Sequence, residues 1–98
     1  MHAYLVERYL PGLSQADICA ALIRAEAACA ELRAAGTEIR YRGSIFLALE
    51  EAGFCRFDSD RAEAVTEVNH RAQLAFARVS PGTAIEPSSP TITQTAEV

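Results

Sequence analysis

The chain contains no lysine: its nine basic side chains are all arginines, set against thirteen carboxylates for a formal charge of −4. That balance argues against an electrostatic nucleic-acid binder, because neutralising phosphates needs a net basic face. The missing lysine also excludes Schiff-base chemistry and the phosphate clamp of a P-loop. Long hydrophobic runs are lacking too, and the apolar stretches fall far short of the roughly 20 residues of a membrane span. The first residues do not have the basic-then-apolar layout of a secretory signal, so the expected location is the cytoplasm. Cysteine is scarce. Cys19, Cys29 and Cys55 are too few and too scattered for a disulfide scaffold. Cys19 and Cys29 fall in one helical segment, roughly 15 Å apart along its axis, where a disulfide spans less than about 7 Å. All three are expected to be small buried or half-buried hydrophobes in a reducing compartment. Common catalytic signatures are absent as well: there is no G-x-S-x-G elbow, G-x-G-x-x-G turn, paired C-x-x-C or H-E-x-x-H.

What is present is ordinary globular composition. The 98 residues are 50% hydrophobic and 22% charged, which suits one domain and excludes wholesale disorder. Residues 1–85 are expected to form that domain. From Glu86 to Val98, proline, serine and threonine dominate, and the segment reads as a disordered or extended tail.

The first segment, Ala3-Tyr4-Leu5-Val6-Glu7-Arg8-Tyr9-Leu10, reads as a strand closed by the Pro11-Gly12 turn. Alternation sorts Tyr4, Val6 and Arg8 to one face and Leu5, Glu7 and Tyr9 to the other. A helix is predicted over 15–35. Ser14 and Asp17 form its capping pair, Ile18, Leu22, Ala25, Cys29 and Leu32 its apolar stripe, and Gly36 its left-handed stop. Between Thr37 and Glu50 the period becomes two. Ile39, Tyr41, Ile45, Leu47 and Leu49 share one parity, and Gly43 marks a candidate bulge. Glu50-Glu51-Ala52-Gly53 then reads as a hairpin connection and Phe54-Cys55-Arg56-Phe57 as the returning strand. Asp60 and Glu63 are the expected capping pair of a second helix with stripe Val65, Val68 and Ala72, ending near Gln73. Phe76-Ala77-Arg78-Val79 supplies a last strand.

The order βαββαβ, with right-handed crossovers, predicts an α+β domain of ferredoxin-like type: a four-stranded antiparallel sheet with two helices on one face. The other sheet face stays uncovered and carries apolar and aromatic residues whichever parity is chosen. A second copy is the economical cover, sheet against sheet, as in dimeric α/β barrels.

Short motifs resemble a small ferredoxin-like domain-of-unknown-function family that includes nickel-binding and nickel-responsive proteins. Tyr4-Leu5-Val6-Glu7-Arg8 resembles its opening strand, and Phe54-Cys55-Arg56-Phe57-Asp58 is similar to its third. His70-Arg71-Ala72 followed by Leu74 and Val79 looks like the close of its second helix and the run into its last strand. Gln73 departs from that pattern, standing where a glycine is expected after the helix. The resemblance implies nickel, or another divalent transition metal, as the bound ion.

Few residues offer chemistry. His70, near the end of the second helix, lies off its apolar stripe; it reads either as a histidine complementing the helix dipole or as a nitrogen ligand. The topology puts it at the pole that holds Tyr9, Glu50 and Glu51, so His70 with Glu50 and Glu51 is the candidate metal set, suited to a first-row ion. His2 belongs to the opposite pole. Glu7, a carboxylate in mid-strand, needs a cationic partner such as Arg40, Arg42 or Arg56, or else marks a ligand-binding position together with Tyr41. Two function classes follow. One is a small homo-oligomeric metal-binding protein. The other is a dimeric α/β-barrel protein that binds or transforms a small molecule in a cavity between sheet and helices, using Glu7, Tyr41 and His70. A pure interaction module is the plainer third. No catalytic residue is assigned, and neither nucleic acid nor membrane is an expected partner.

Overall fold

A computed structural model describes residues 1–87 as β1 (His2–Tyr9), α1 (Gln15–Ala34), β2 (Ile39–Leu47), β3 (Ala52–Ser59), α2 (Ala62–Arg71) and β4 (Arg78–Gly82). The four strands form one antiparallel sheet in the order β2-β3-β1-β4, so each β-α-β crossover skips over one strand. This is an α+β fold of the expected element order, consistent with the ferredoxin-like arrangement. No helix among the described residues is long and apolar enough to cross a membrane. The expected tail lies outside the described residues beyond Pro87; at its start, Glu86 accepts a hydrogen bond from Arg56 Nη1 at 3.2 Å.

Local chemistry explains the helix ends. Ser14 Oγ accepts from Asp17 N at 3.1 Å and Asp17 Oδ2 accepts from Ser14 N at 3.2 Å, a reciprocal capping box. These bonds from Ser14 hold the Asp17 carboxyl below its ordinary value. Gly36, at φ 98°, closes α1 as Thr37 N donates to Leu32 O. The same closure recurs on α2, where Leu74 N donates to Asn69 O, but there Gln73 takes the left-handed position at φ 57°. A side chain at that position costs about 1 kcal/mol that a glycine would avoid. The expected capping of α2 by Asp60 does not form: Arg61 is the N-cap residue, and it makes no side-chain cap bond.

The core lies between the sheet and both helices. Val6, Ile39 and Phe57 from the sheet pack with Ala25 and Cys29 of α1 and with Val65 and Val68 of α2, all fully buried. The alanines of α1 let the helix sit close: Ala21, Ala25 and Ala28 are buried, while Leu22 of the expected stripe is only half-buried. Complete burial of an aromatic or branched side chain stabilises by about 1.5–3 kcal/mol, and Phe57 is the largest such residue here.

Three strand readings are corrected by pairing. A bulge falls between Tyr41 and Gly43, so two residues of β2 oppose one of β3 and the facing of side chains reverses. Ile39 and Tyr41 therefore face the helices, whereas Ile45 and Leu47 face away from them, and Leu49 stands in the turn, 97% exposed. β3 begins at Ala52, earlier than the turn chemistry suggested, because Ala52 pairs with both Tyr9 and Leu47. The last strand lies later, at Arg78–Gly82, because the closure of α2 and the following loop occupy 72–77. Pro81, which lacks an N–H, is accommodated since β4 is an edge strand.

The sheet face away from the helices carries Leu5, Tyr9, Ile45 and Leu47, all exposed, with Phe54 among them. Asp58 on this face accepts from Arg56 and lies 3.5 Å from Arg42 Nε.

Candidate functional site

The alternation of β1 turns Tyr4, Val6 and Arg8 toward the helices, and this buries an arginine. Arg8 is 3% exposed and is the one buried charged side chain among the described residues. Its Nη2 donates to Asn69 Oδ1 at 2.7 Å and its Nη1 to the Ala75 carbonyl at 3.1 Å. Asn69 is oriented in turn by donating Nδ2–H to Val65 O at 2.8 Å within α2. Gly53 of β3 leaves room for the arginine stem, since a Cβ there would stand 3.3 Å from Arg8 Cγ. Every acceptor in this set is neutral. Arg8 takes part in no ion pair among the described residues, and its Nε is buried without any partner. A desolvated charge without a counterion costs several kcal/mol, which two hydrogen bonds to neutral groups offset only in part.

Arg8 lines a cleft of about 360 Å³ between the N-terminal half of α1 and the sheet. Its walls are mostly apolar, with Leu10, Ile18, Leu22, Phe46 and Leu74 among the lining residues. Cys55 and Ser44 contribute polar atoms to one side: Ser44 Oγ donates to Cys55 Sγ at 2.8 Å and shares a short hydrogen bond with the Tyr41 hydroxyl. Cys19 lies on the rim and is exposed, contrary to expectation, whereas Cys29 and Cys55 are buried; all three are free thiols. Burial pushes the Cys29 thiol up to about 11 and also raises Tyr41 above its ordinary value. The alternation of β1 groups Arg8 with Tyr4 and Val6 but leaves open which face is buried, and its partner on α2 carries no local signal.

The residues expected to bind a metal do not form a ligand set. His70 is exposed in the last turn of α2, its ring centroid 5.7 Å from that of Phe76. Glu51 serves the backbone: at φ 51° it turns the β2–β3 connection, its Oε2 accepts from Gly12 N at 2.9 Å, and its carbonyl accepts from Leu10 N at 2.7 Å. Glu50 is exposed. Among the described residues no group of three or more His, Cys, Asp or Glu could hold a metal ion. Nickel therefore rests on the resemblance alone.

Glu7 and Tyr41 are also separated. Glu7 lies on the helix-free face, where its Oε2 accepts from Arg78 Nε at 2.7 Å; its partner comes from β4, not from Arg40, Arg42 or Arg56. Tyr41 is half-buried on the helix side, its ring centroid 5.2 Å from that of Phe57. A single cavity built from Glu7, Tyr41 and His70 is thus not formed: the three occupy opposite sheet faces and an exposed helix end.

No protein-family model, curated protein or solved structure matches this chain.

Proposed function

We propose that the chain is a small-molecule-binding protein whose ligand sits in the cleft between α1 and the sheet. The observation that carries this reading is the cleft itself, a concave and mostly apolar space of about 360 Å³ with a few convergent polar groups. Small-molecule sites have that character and begin near 300 Å³. The cleft opens where β1, β2 and β3 meet the first turns of α1, so one ligand would touch three strands and a helix. The working unit is a homodimer joined through the helix-free face, where Leu5, Ile45 and Leu47 would otherwise remain in water.

Titration of isotope-labelled protein with 1-octanol, followed by amide chemical shifts, tests the cleft. Shifts should concentrate at Ile18, Leu22, Phe46 and Leu74 and disappear in a Leu22→Trp variant, whose larger ring fills the space. Shifts elsewhere, or equal shifts in the filled variant, would sink the reading.

A further inference from the structure

We infer that the ligand of this cleft is an organic monoanion, a carboxylate with an apolar body, and that Arg8 receives its carboxylate. The inference rests on the small-molecule reading above and adds the ligand's charge and shape. Three observations converge on it. Arg8 is buried yet has no carboxylate partner among the described residues, although six other arginines, all more exposed, take part in hydrogen bonds or ion pairs: Arg33, Arg42, Arg56, Arg71, Arg78 and, through a backbone carbonyl, Arg24. Its Nε is the one buried side-chain nitrogen or oxygen among the described residues without a hydrogen-bond partner. And this residue lines the apolar cleft.

The chemistry follows from the guanidinium's donor count. An arginine presents five N–H groups in a planar fork and is never deprotonated at physiological pH. Two neutral acceptors, Asn69 Oδ1 and Ala75 O, engage the two terminal nitrogens and fix the plane. That leaves the Nε–H, itself buried, and one N–H on each terminal nitrogen without an acceptor among the described residues, and the positive charge without its opposite. A carboxylate matches the fork bidentately and carries one charge, equal to the single charge it would neutralise. A phosphate dianion would leave surplus charge among leucines and a phenylalanine, where it would be poorly solvated. The rest of the ligand lies against Ile18, Leu22 and Phe46, which ask for an apolar body. Gly53 belongs to the same arrangement, because a Cβ there would press on the Arg8 stem at 3.3 Å, a tight contact that the stem would have to yield to by a few tenths of an ångström.

Octanoate, 1-octanol and octylamine have tails of one length and differ in head-group charge, so calorimetric titration of the full chain with each reads the charge preference directly. Octanoate should bind at least tenfold more tightly than 1-octanol, and octylamine more weakly than either. Arg8→Met should bring octanoate and 1-octanol within about twofold of each other while amide shifts at Ile18 and Phe46 still report 1-octanol in the cleft. Equal affinity of the wild type for octanoate and 1-octanol would overturn the anion assignment and leave the small-molecule reading standing. Tighter binding of octyl phosphate than of octanoate would overturn the carboxylate. If none of the probes shifts the cleft residues, both readings fall. Should Arg8→Met not fold, the wild-type series still decides the matter, because it compares ligands on one protein.

Discussion

Arg8 Nη2 donates to Asn69 Oδ1 across 2.7 Å, joining β1 to α2 over 61 residues of sequence in a fully buried contact. The two partners are unequal. Arg8 brings a charge that the fold only partly compensates, whereas Asn69 serves both Arg8 and the Val65 carbonyl. Asn69→Ala should therefore be the worse change, costing roughly 2–3 kcal/mol, since it leaves a buried charge with one acceptor fewer. Arg8→Met removes that charge and orphans only neutral acceptors, so it should stay within about 1 kcal/mol of the wild type. Urea unfolding of both variants checks the order. The reverse order would mean that Arg8 is kept for stability rather than for a ligand.

The bulge at Tyr41–Gly43 makes neighbours on β2 answer to different surroundings. Ile45 is 67% exposed on the helix-free face, while Phe46 is half-buried on the cleft side. Ile45→Glu should weaken self-association at least tenfold in sedimentation equilibrium and leave the melting temperature of the monomer nearly unchanged, because the residue is in water within one copy. Phe46→Ala should leave association intact and lower 1-octanol binding. A wild type that sediments at 10.6 kDa, the mass of one chain, at micromolar concentration and above would remove the dimer.

Thiol chemistry gives a pH signature with a definite sign. Cys29 sits at about 11 mainly because burial disfavours its thiolate and secondarily because Glu26 is near, with Arg33 opposing. The folded chain thus holds this proton more tightly than the unfolded chain does. Below the ordinary thiol value, near 8.5, both forms are protonated and the contribution to stability is fully present; it is lost as pH rises toward 11. Tyr41, raised first of all by burial, adds a loss of the same sign above the ordinary tyrosine value near 10. Urea midpoints should fall between pH 9 and 11, less steeply in Cys29→Ala. At pH 8, iodoacetamide should modify the folded protein once, at exposed Cys19, and three times after denaturation, as counted by mass spectrometry.

The elements were legible because their causes are local. A capping box at Ser14 and Asp17, a stripe from Ile18 to Leu32 and a glycine stop at Gly36 lie within one short segment; the box and the stop form as their spacing implies, and the stripe is buried except at half-buried Leu22. The alternation of β1 likewise puts Tyr4, Val6 and Arg8 on one face, and packing against the helices makes that face the inner one. Gly43 was readable as a bulge, but its consequence was not. A single extra residue turns every later side chain of β2 to the other face, and pairing with β3 had to settle where the reversal falls.

The candidate site was much less legible. Asn69 reads as an ordinary polar residue of α2, and Ala75 as a loop residue, until the fold brings both to Arg8. Glu7 has three plausible arginines on one neighbouring side of the sheet and pairs with a fourth, 71 residues away on β4. Composition and periodicity by themselves determined the element order, the capping box and glycine stop of α1, the grouping of Tyr4, Val6 and Arg8 on one face of β1 and the absence of lysine chemistry, because these depend on spacing along the chain. Only the tertiary structure decided which charge is buried without a counterion, which apolar residues are left in water and where a cleft remains. Those depend on distances between segments remote in sequence, fixed when the sheet and both helices close on one core.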